Sequence, residues 1–140
     1  MIRCLYFSLD CKIKTYYRMI SKKIWVPIYD YRIWYIEVEG PEDLPKLLKF
    51  AKKVNLGEEN IKEIELKLQR NEEGGATTFH RKSDCSLFVI IYPQPSVYRK
   101  EECISHEKRH CEDFILEHLG IDDKEAAAYL AGWLDLQFRY

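Results

Sequence analysis

The segment from Val97 to Gly120 constrains the fold of this chain most, because it is predicted to form one long helix with two histidines on one face. It contains the run HEKRH at residues 106–110. Gly120 stands where a left-handed residue commonly ends a helix. Apolar residues recur in the segment at the spacings of an amphipathic helix; they are Ile104, Cys111, Phe114, Ile115 and Leu119.

The two histidines of this run have the spacing of a metal-binding pair. His106 and His110 are four residues apart, so a helix places their side chains one above the other, about 6 Å apart. Both imidazoles can then reach one zinc ion at Zn–N distances of roughly 2.0–2.1 Å. Glu107 lies just off that face, where its carboxylate can accept a proton from a water on the metal. The alternative interpretation is an exposed polar helix face whose histidines bind nothing.

A third ligand is predicted to follow in the next helix. Catalytic zinc commonly takes three protein ligands and leaves one position for water, whereas structural zinc takes four. Asp122 or Asp123 is placed to cap an alanine-rich helix, and Glu125 lies in its first turn. We expect Glu125 to be the ligand, with Asp123 as its substitute, because the two are about 200° apart on a helix and cannot both face one ion. Alternatively, Glu125 only complements the helix dipole.

The run HEKRH, a short loop and then EAAAYLAGW together resemble the compact gluzincin-type zincins. This group includes the ImmA/IrrE-like peptidases and related metallopeptidase-like proteins of phages and mobile elements. The resemblance covers roughly residues 76–136. It implies that His106, His110 and Glu125 bind Zn²⁺, that Glu107 is the general base, and that the substrate is a peptide or protein.

The composition limits the classes of protein to which this chain can belong. Apolar residues make up 46% of the 140 residues, which is enough to build a core. We expect an N-terminal tail at residues 1–18 and one domain over residues 19–140. The chain has 22 basic and 23 acidic residues, so we expect no nucleic-acid partner. No segment is apolar and long enough for a membrane span, and no membrane partner is expected.

The cysteines favour a reducing cytoplasm. They number five, an odd count, and no Cys-x-x-Cys pair occurs. Neither a disulfide framework nor a thiolate zinc knuckle is therefore indicated. Cys111, next to His110, is interpreted as a small core residue.

The remaining pattern predicts a small α+β domain, and the resemblance implies that this domain is zincin-like. Its N-terminal helix and a mostly antiparallel sheet of few strands would pack on the histidine helix, which a C-terminal helix follows. Residues 23–38 are predicted to form a strand or hairpin, and a helix is predicted from Gly40 to about Asn55. Residues 76–81 and 86–92 are predicted strands. The segment IKEIELKLQ at residues 61–69 fits a strand and a helix almost equally well.

Three other polar residues have open roles. His80, in a predicted strand, either faces the cleft and stabilises an oxyanion or, as favoured, faces solvent. Asp113 either orients an imidazole or is solvated. His118 is placed to complement the helix C-terminus.

Three functions are compatible with the sequence. The leading hypothesis is a zinc metallopeptidase. The second is a non-catalytic module that zinc stabilises and that binds another protein. The third is a relic that binds no metal.

Overall fold

A computed structural model describes residues 19–70 and 74–139. The predicted tail at residues 1–18 lies outside the described residues. None of the described helices is both long and apolar enough to cross a bilayer. The elements confirm the α+β class and are, in chain order, β1 (Ile20–Val26), β2 (Tyr31–Glu37), α1 (Leu44–Lys53), α2 (Glu58–Gln69), β3 (Ala76–Arg81), β4 (Ser86–Ile91), α3 (Val97–Leu119) and α4 (Lys124–Arg139).

The described chain divides into two units. One includes residues 38–70 and contains α1 and α2. The other includes residues 21–37 and 74–139, with the sheet, α3 and α4. The single domain predicted over residues 19–140 spans both units.

The first unit contains two helices, where the sequence predicted one helix and left the second segment open between a strand and a helix. α1 follows a 3₁₀ turn at Pro41–Asp43 and buries Leu47 and Ala51, four residues apart. The ambiguous segment IKEIELKLQ lies in α2, which buries Ile64 and Leu68. In a strand Leu66 would share their face, whereas here it is half exposed.

The second unit is built on a four-stranded mixed sheet with the order β1-β2-β4-β3. A four-residue turn joins β1 to β2, so these two strands run antiparallel. β3 is antiparallel to β4, as predicted, but β2 and β4 are parallel. A long connection separates β2 from β4, which is what a parallel pair requires. Among the described strands, β3 is therefore at one edge.

One face of this sheet packs with α3 and α4 into the core of the second unit. Strand side chains alternate between faces, and cross-strand partners share a face. All six residues of β4 are buried. The core between the sheet and these helices includes Ile33, Val89, Cys111, Ile115 and Leu134.

α3 has the limits that its sequence predicts. Ser96 precedes it, and its Oγ accepts a hydrogen bond from the backbone N–H of Arg99, at 3.2 Å. Gly120 ends the helix in the left-handed conformation, with φ of 66°. Because both ends are capped, residues 106–110 lie in regular helix.

Asp123 caps α4, and we expect Asp123→Ala to cost about 0.5–2 kcal/mol of unfolding free energy. Its Oδ1 accepts hydrogen bonds from the backbone N–H groups of Glu125 (2.8 Å) and Ala126 (3.4 Å). Urea denaturation measures the loss. The control is Asp122→Ala at the exposed neighbouring position, expected to change stability by less than about 0.5 kcal/mol. Equal losses in both variants would contradict the cap.

Candidate metal centre

α3 brings the two histidines of the run together. The Nε2 atoms of His106 and His110 are 3.0 Å apart, and their ring centroids are separated by 4.6 Å. Both side chains are exposed. Nitrogens at this separation can both reach one ion at about 2.0–2.1 Å, so the pair fits zinc.

Glu107 completes the group. Among residues 19–70 and 74–139, His106, Glu107 and His110 form one cluster whose possible ligand atoms lie within 4.8 Å of one another. Glu107 is 5% exposed, and Thr78 Oγ1 donates a 2.5 Å hydrogen bond to its Oε2. Residue 107 is turned by about 100° from residue 106, towards β3. Its carboxylate is therefore held beside the imidazoles rather than in solvent.

The sequence analysis missed Thr78, whose hydroxyl group positions this carboxylate. Thr78 pairs with Val89 across the sheet, so it lies on the face that packs against the helices. His80 is two residues further and shares that face. This period of two was a usable signal, because it places polar side chains on the inner face of an edge strand.

The structure does not bring Glu125 into this group. Glu125 is exposed in the first turn of α4, and Asp123 is engaged as the cap. Lys108 Nζ lies 3.5 Å from the carbonyl oxygen of Ala131, so α4 packs on the side of α3 that carries Lys108. That side is roughly opposite the imidazole of His110, about 160° round the helix. Of the three predicted ligands, the structure therefore brings together only the two histidines.

The two cations inside the run are matched by carboxylates one turn further along. Lys108 Nζ lies 2.8 Å from Glu112 Oε1 in a largely buried pair. Arg109 pairs with Asp113 at 3.5 Å on the surface. Asp113 therefore interacts with a cation at the surface, and the structure shows no contact of its carboxylate with an imidazole.

An open groove of about 760 Å³ runs beside the cluster. One wall is the start of β3 and the other is the N-terminal half of α3. Two of the three residues of the cluster line it, together with further acidic and aromatic groups; the lining includes Ala76, Tyr98, Glu101, Glu102, His106 and Glu107.

His80 and His118 form a second cluster with Tyr31. The expectation that His80 faces solvent was wrong: it is half-buried, its Nε2 is 2.8 Å from Tyr31 Oη, and its ring lies against Phe114. His118 does lie in the last turn of α3, and its Nδ1 is also hydrogen-bonded to Tyr31. Burial raises the pKa of Tyr31 to about 12.

We expect His80 to make metal-free protein more sensitive to acid. Burial, then the neighbouring His118 and Lys82, lower the pKa of His80 below its usual 6.5, against a smaller opposing effect of Glu117. The unfolded chain therefore binds the proton first. Above pH 6.5 His80 is largely neutral in both states and does not reduce the free energy of unfolding. As the pH decreases from 6.5 towards the folded-state pKa, the free energy of unfolding falls by at most about 1.4 kcal/mol per pH unit.

Urea denaturation at pH 7.5, 6.5 and 5.5, with a chelator present, checks this expectation. His80→Asn retains hydrogen-bonding groups but does not titrate in this range, so its stability should fall less steeply with decreasing pH. Parallel curves for the two proteins would contradict a lowered pKa at His80.

Cys111 is a core residue, as predicted. Its side chain is fully buried and forms no disulfide. Burial, with Glu107 and Glu112 nearby, raises the pKa of its thiol well above the usual value. The cluster of possible metal ligands on α3 does not include this thiol.

Comparisons of the chain with models of known protein families, with curated proteins and with solved structures gave no match. The resemblance to gluzincin-type zincins therefore stays a prediction from the sequence. The observations that bear on function are the α+β fold and the cluster of His106, Glu107 and His110 beside the groove.

Proposed function

We propose that this protein is a zinc-dependent peptidase whose metal is held by His106 and His110. The observation that carries the proposal is the 3.0 Å separation of the two Nε2 atoms, with the carboxylate of Glu107 in the same cluster. The cluster borders an open groove, so a substrate has access to it.

Zinc, when bound, supplies a Lewis acid that polarises a carbonyl group and makes water more acidic. In this proposal Glu107 accepts the proton of the attacking water and passes it to the leaving amine. Thr78 fixes the carboxylate through its 2.5 Å hydrogen bond, which reduces the freedom of the base. The groove beside β3 is where the substrate would lie.

β3 offers a way to hold a peptide. It is an edge strand among the described strands, and its first residue, Ala76, lines the groove together with the preceding Gly75. An extended peptide can add to such an edge through main-chain hydrogen bonds. A peptide paired with β3 in this way would pass His106 and Glu107 on α3. Because this mode of binding uses main-chain hydrogen bonds, it supports a peptide as the substrate.

A non-catalytic module that zinc stabilises is the second candidate. It is favoured by one observation: the cluster contains the Glu107 carboxylate and does not contain Glu125. In this alternative Glu107 is a third ligand rather than a base. The variant Glu107→Gln separates the two candidates, because a ligand is needed for zinc binding and a base is not.

Zinc binding is the first test of both candidates. The full chain, purified without a histidine tag, is expected to bind zinc, and replacing His106 and His110 by Gln is expected to remove one equivalent. Calorimetric titration and metal analysis measure this. The control is Asp113→Asn, an exposed neighbour on α3 that should bind as the wild type does. A wild type that binds no zinc would contradict both candidates and favour the metal-free relic.

A further inference from the structure

Three rings from three elements converge at the end of α3 away from the proposed peptidase site. Tyr31 Oη on β2 is 2.8 Å from Nε2 of His80 on β3 and is also hydrogen-bonded to Nδ1 of His118 on α3. The ring centroids are 5.8 Å apart for each tyrosine–histidine pair and 5.6 Å apart for the two histidines. The three rings thus form a nearly equilateral triangle, and Tyr31 Oη faces one ring nitrogen of each histidine.

The hydrogen bonding of this triangle can be rearranged around a cation. A phenol donates one hydrogen bond, so one imidazole accepts from Tyr31 and the other donates to it. Two imidazole nitrogens and a phenolate oxygen are ligands that zinc and similar divalent ions accept. One ring nitrogen of each histidine already lies within hydrogen-bond distance of the phenol oxygen, so a cation would take the place of the shared protons as the rings move apart to admit it.

We propose that Tyr31, His80 and His118 form a second zinc site, distinct from that of His106 and His110. Binding releases the phenol proton of Tyr31 to solvent. The imidazole that had donated its N–H to Tyr31 moves that proton to its other ring nitrogen, so that a lone pair faces the metal. One proton is thus lost for each zinc bound.

The two sites take separate ions. His118 is eight residues beyond His110, about 12 Å along the helix axis. The ring of Phe114 lies between them, stacked on His110 at 5.9 Å and against His80 at 4.9 Å. The chain has four histidines, and all of them belong to these two pairs. The second site does not depend on the peptidase proposal.

The test uses the full chain with His106 and His110 both replaced by Asn, which removes the first site. This variant is expected to bind one equivalent of zinc at pH 7.5. The expected signals are tyrosinate ultraviolet absorption, release of one proton, and shifts of the His80 and His118 side-chain NMR resonances. Tyr31→Phe in the same background should weaken binding by about tenfold or more and abolish the tyrosinate signal.

Two controls make the outcome decisive. Tyr35→Phe alters another buried tyrosine, which donates to Glu37 instead of meeting a histidine, and should leave zinc affinity unchanged. Cys85→Ser removes a partly buried free thiol and should also have no effect. Thermal melts confirm that each variant folds. The proposal is overturned if the background variant binds no zinc, if Tyr31→Phe binds equally well, or if Cys85→Ser abolishes binding.

Discussion

Glu107→Gln is expected to abolish peptide hydrolysis while zinc stays bound. A positioned general base contributes about 10²–10⁴-fold to a rate, and an amide cannot accept the proton of the attacking water. Glutamine has almost the same shape as glutamate and can still accept the hydrogen bond from Thr78, so the fold should be retained. Hydrolysis of an unfolded casein-like substrate and zinc content are measured on the same preparations.

The matched control is Glu117→Gln, the same substitution at an exposed position of α3. It should leave both activity and zinc content at the wild-type level. Three results at Glu107 have different meanings. Lost activity with unchanged zinc content supports the base, the loss of one zinc equivalent supports the non-catalytic module with Glu107 as a ligand, and intact activity rules out the catalytic role.

Leu134→Ala is expected to cost the second unit about 2–5 kcal/mol of unfolding free energy. Leu134 lies on α4, is fully buried, and belongs to the core that α3 and α4 form on the sheet. Truncation removes apolar burial and leaves a cavity that a close-packed core fills only in part. Urea denaturation followed by circular dichroism measures the loss.

Leu136→Ala is the matched control, with the same substitution two residues away on the same helix. Leu136 is 56% exposed, so its loss should change stability by less than about 0.5 kcal/mol. The comparison cancels helix propensity, which is the same for both substitutions. Equal costs at the two positions would contradict the placement of α4 against the sheet.

The local features of α3 could be predicted from the sequence alone. Its limits, its left-handed end at Gly120 and the approach of His106 to His110 all follow from helical periodicity. The burial of Cys111 follows from the same period. These properties depend only on residues close together in the chain, where backbone geometry fixes the distances.

A segment whose apolar residues fit both a strand and a helix could be assigned only from the tertiary structure. The segment at residues 61–69 has apolar residues at both strand and helix spacings, and packing in its own unit decided for the helix of α2. The parallel pairing of β2 with β4 also could not be predicted. Strand order depends on the path of the connection between strands, which leaves no local pattern in either strand.

Helical periodicity in the sequence shows which side chains share a face of α3, whereas the partners of each face follow from the fold. The side of α3 that bears Lys108 meets α4, which leaves Glu125 outside the His106 cluster. The side towards β3 meets Thr78 at one end and His80 at the other. Helical periodicity fixes angles around one axis, whereas contacts between elements depend on how helices cross and how strands are ordered, which many distant residues set together.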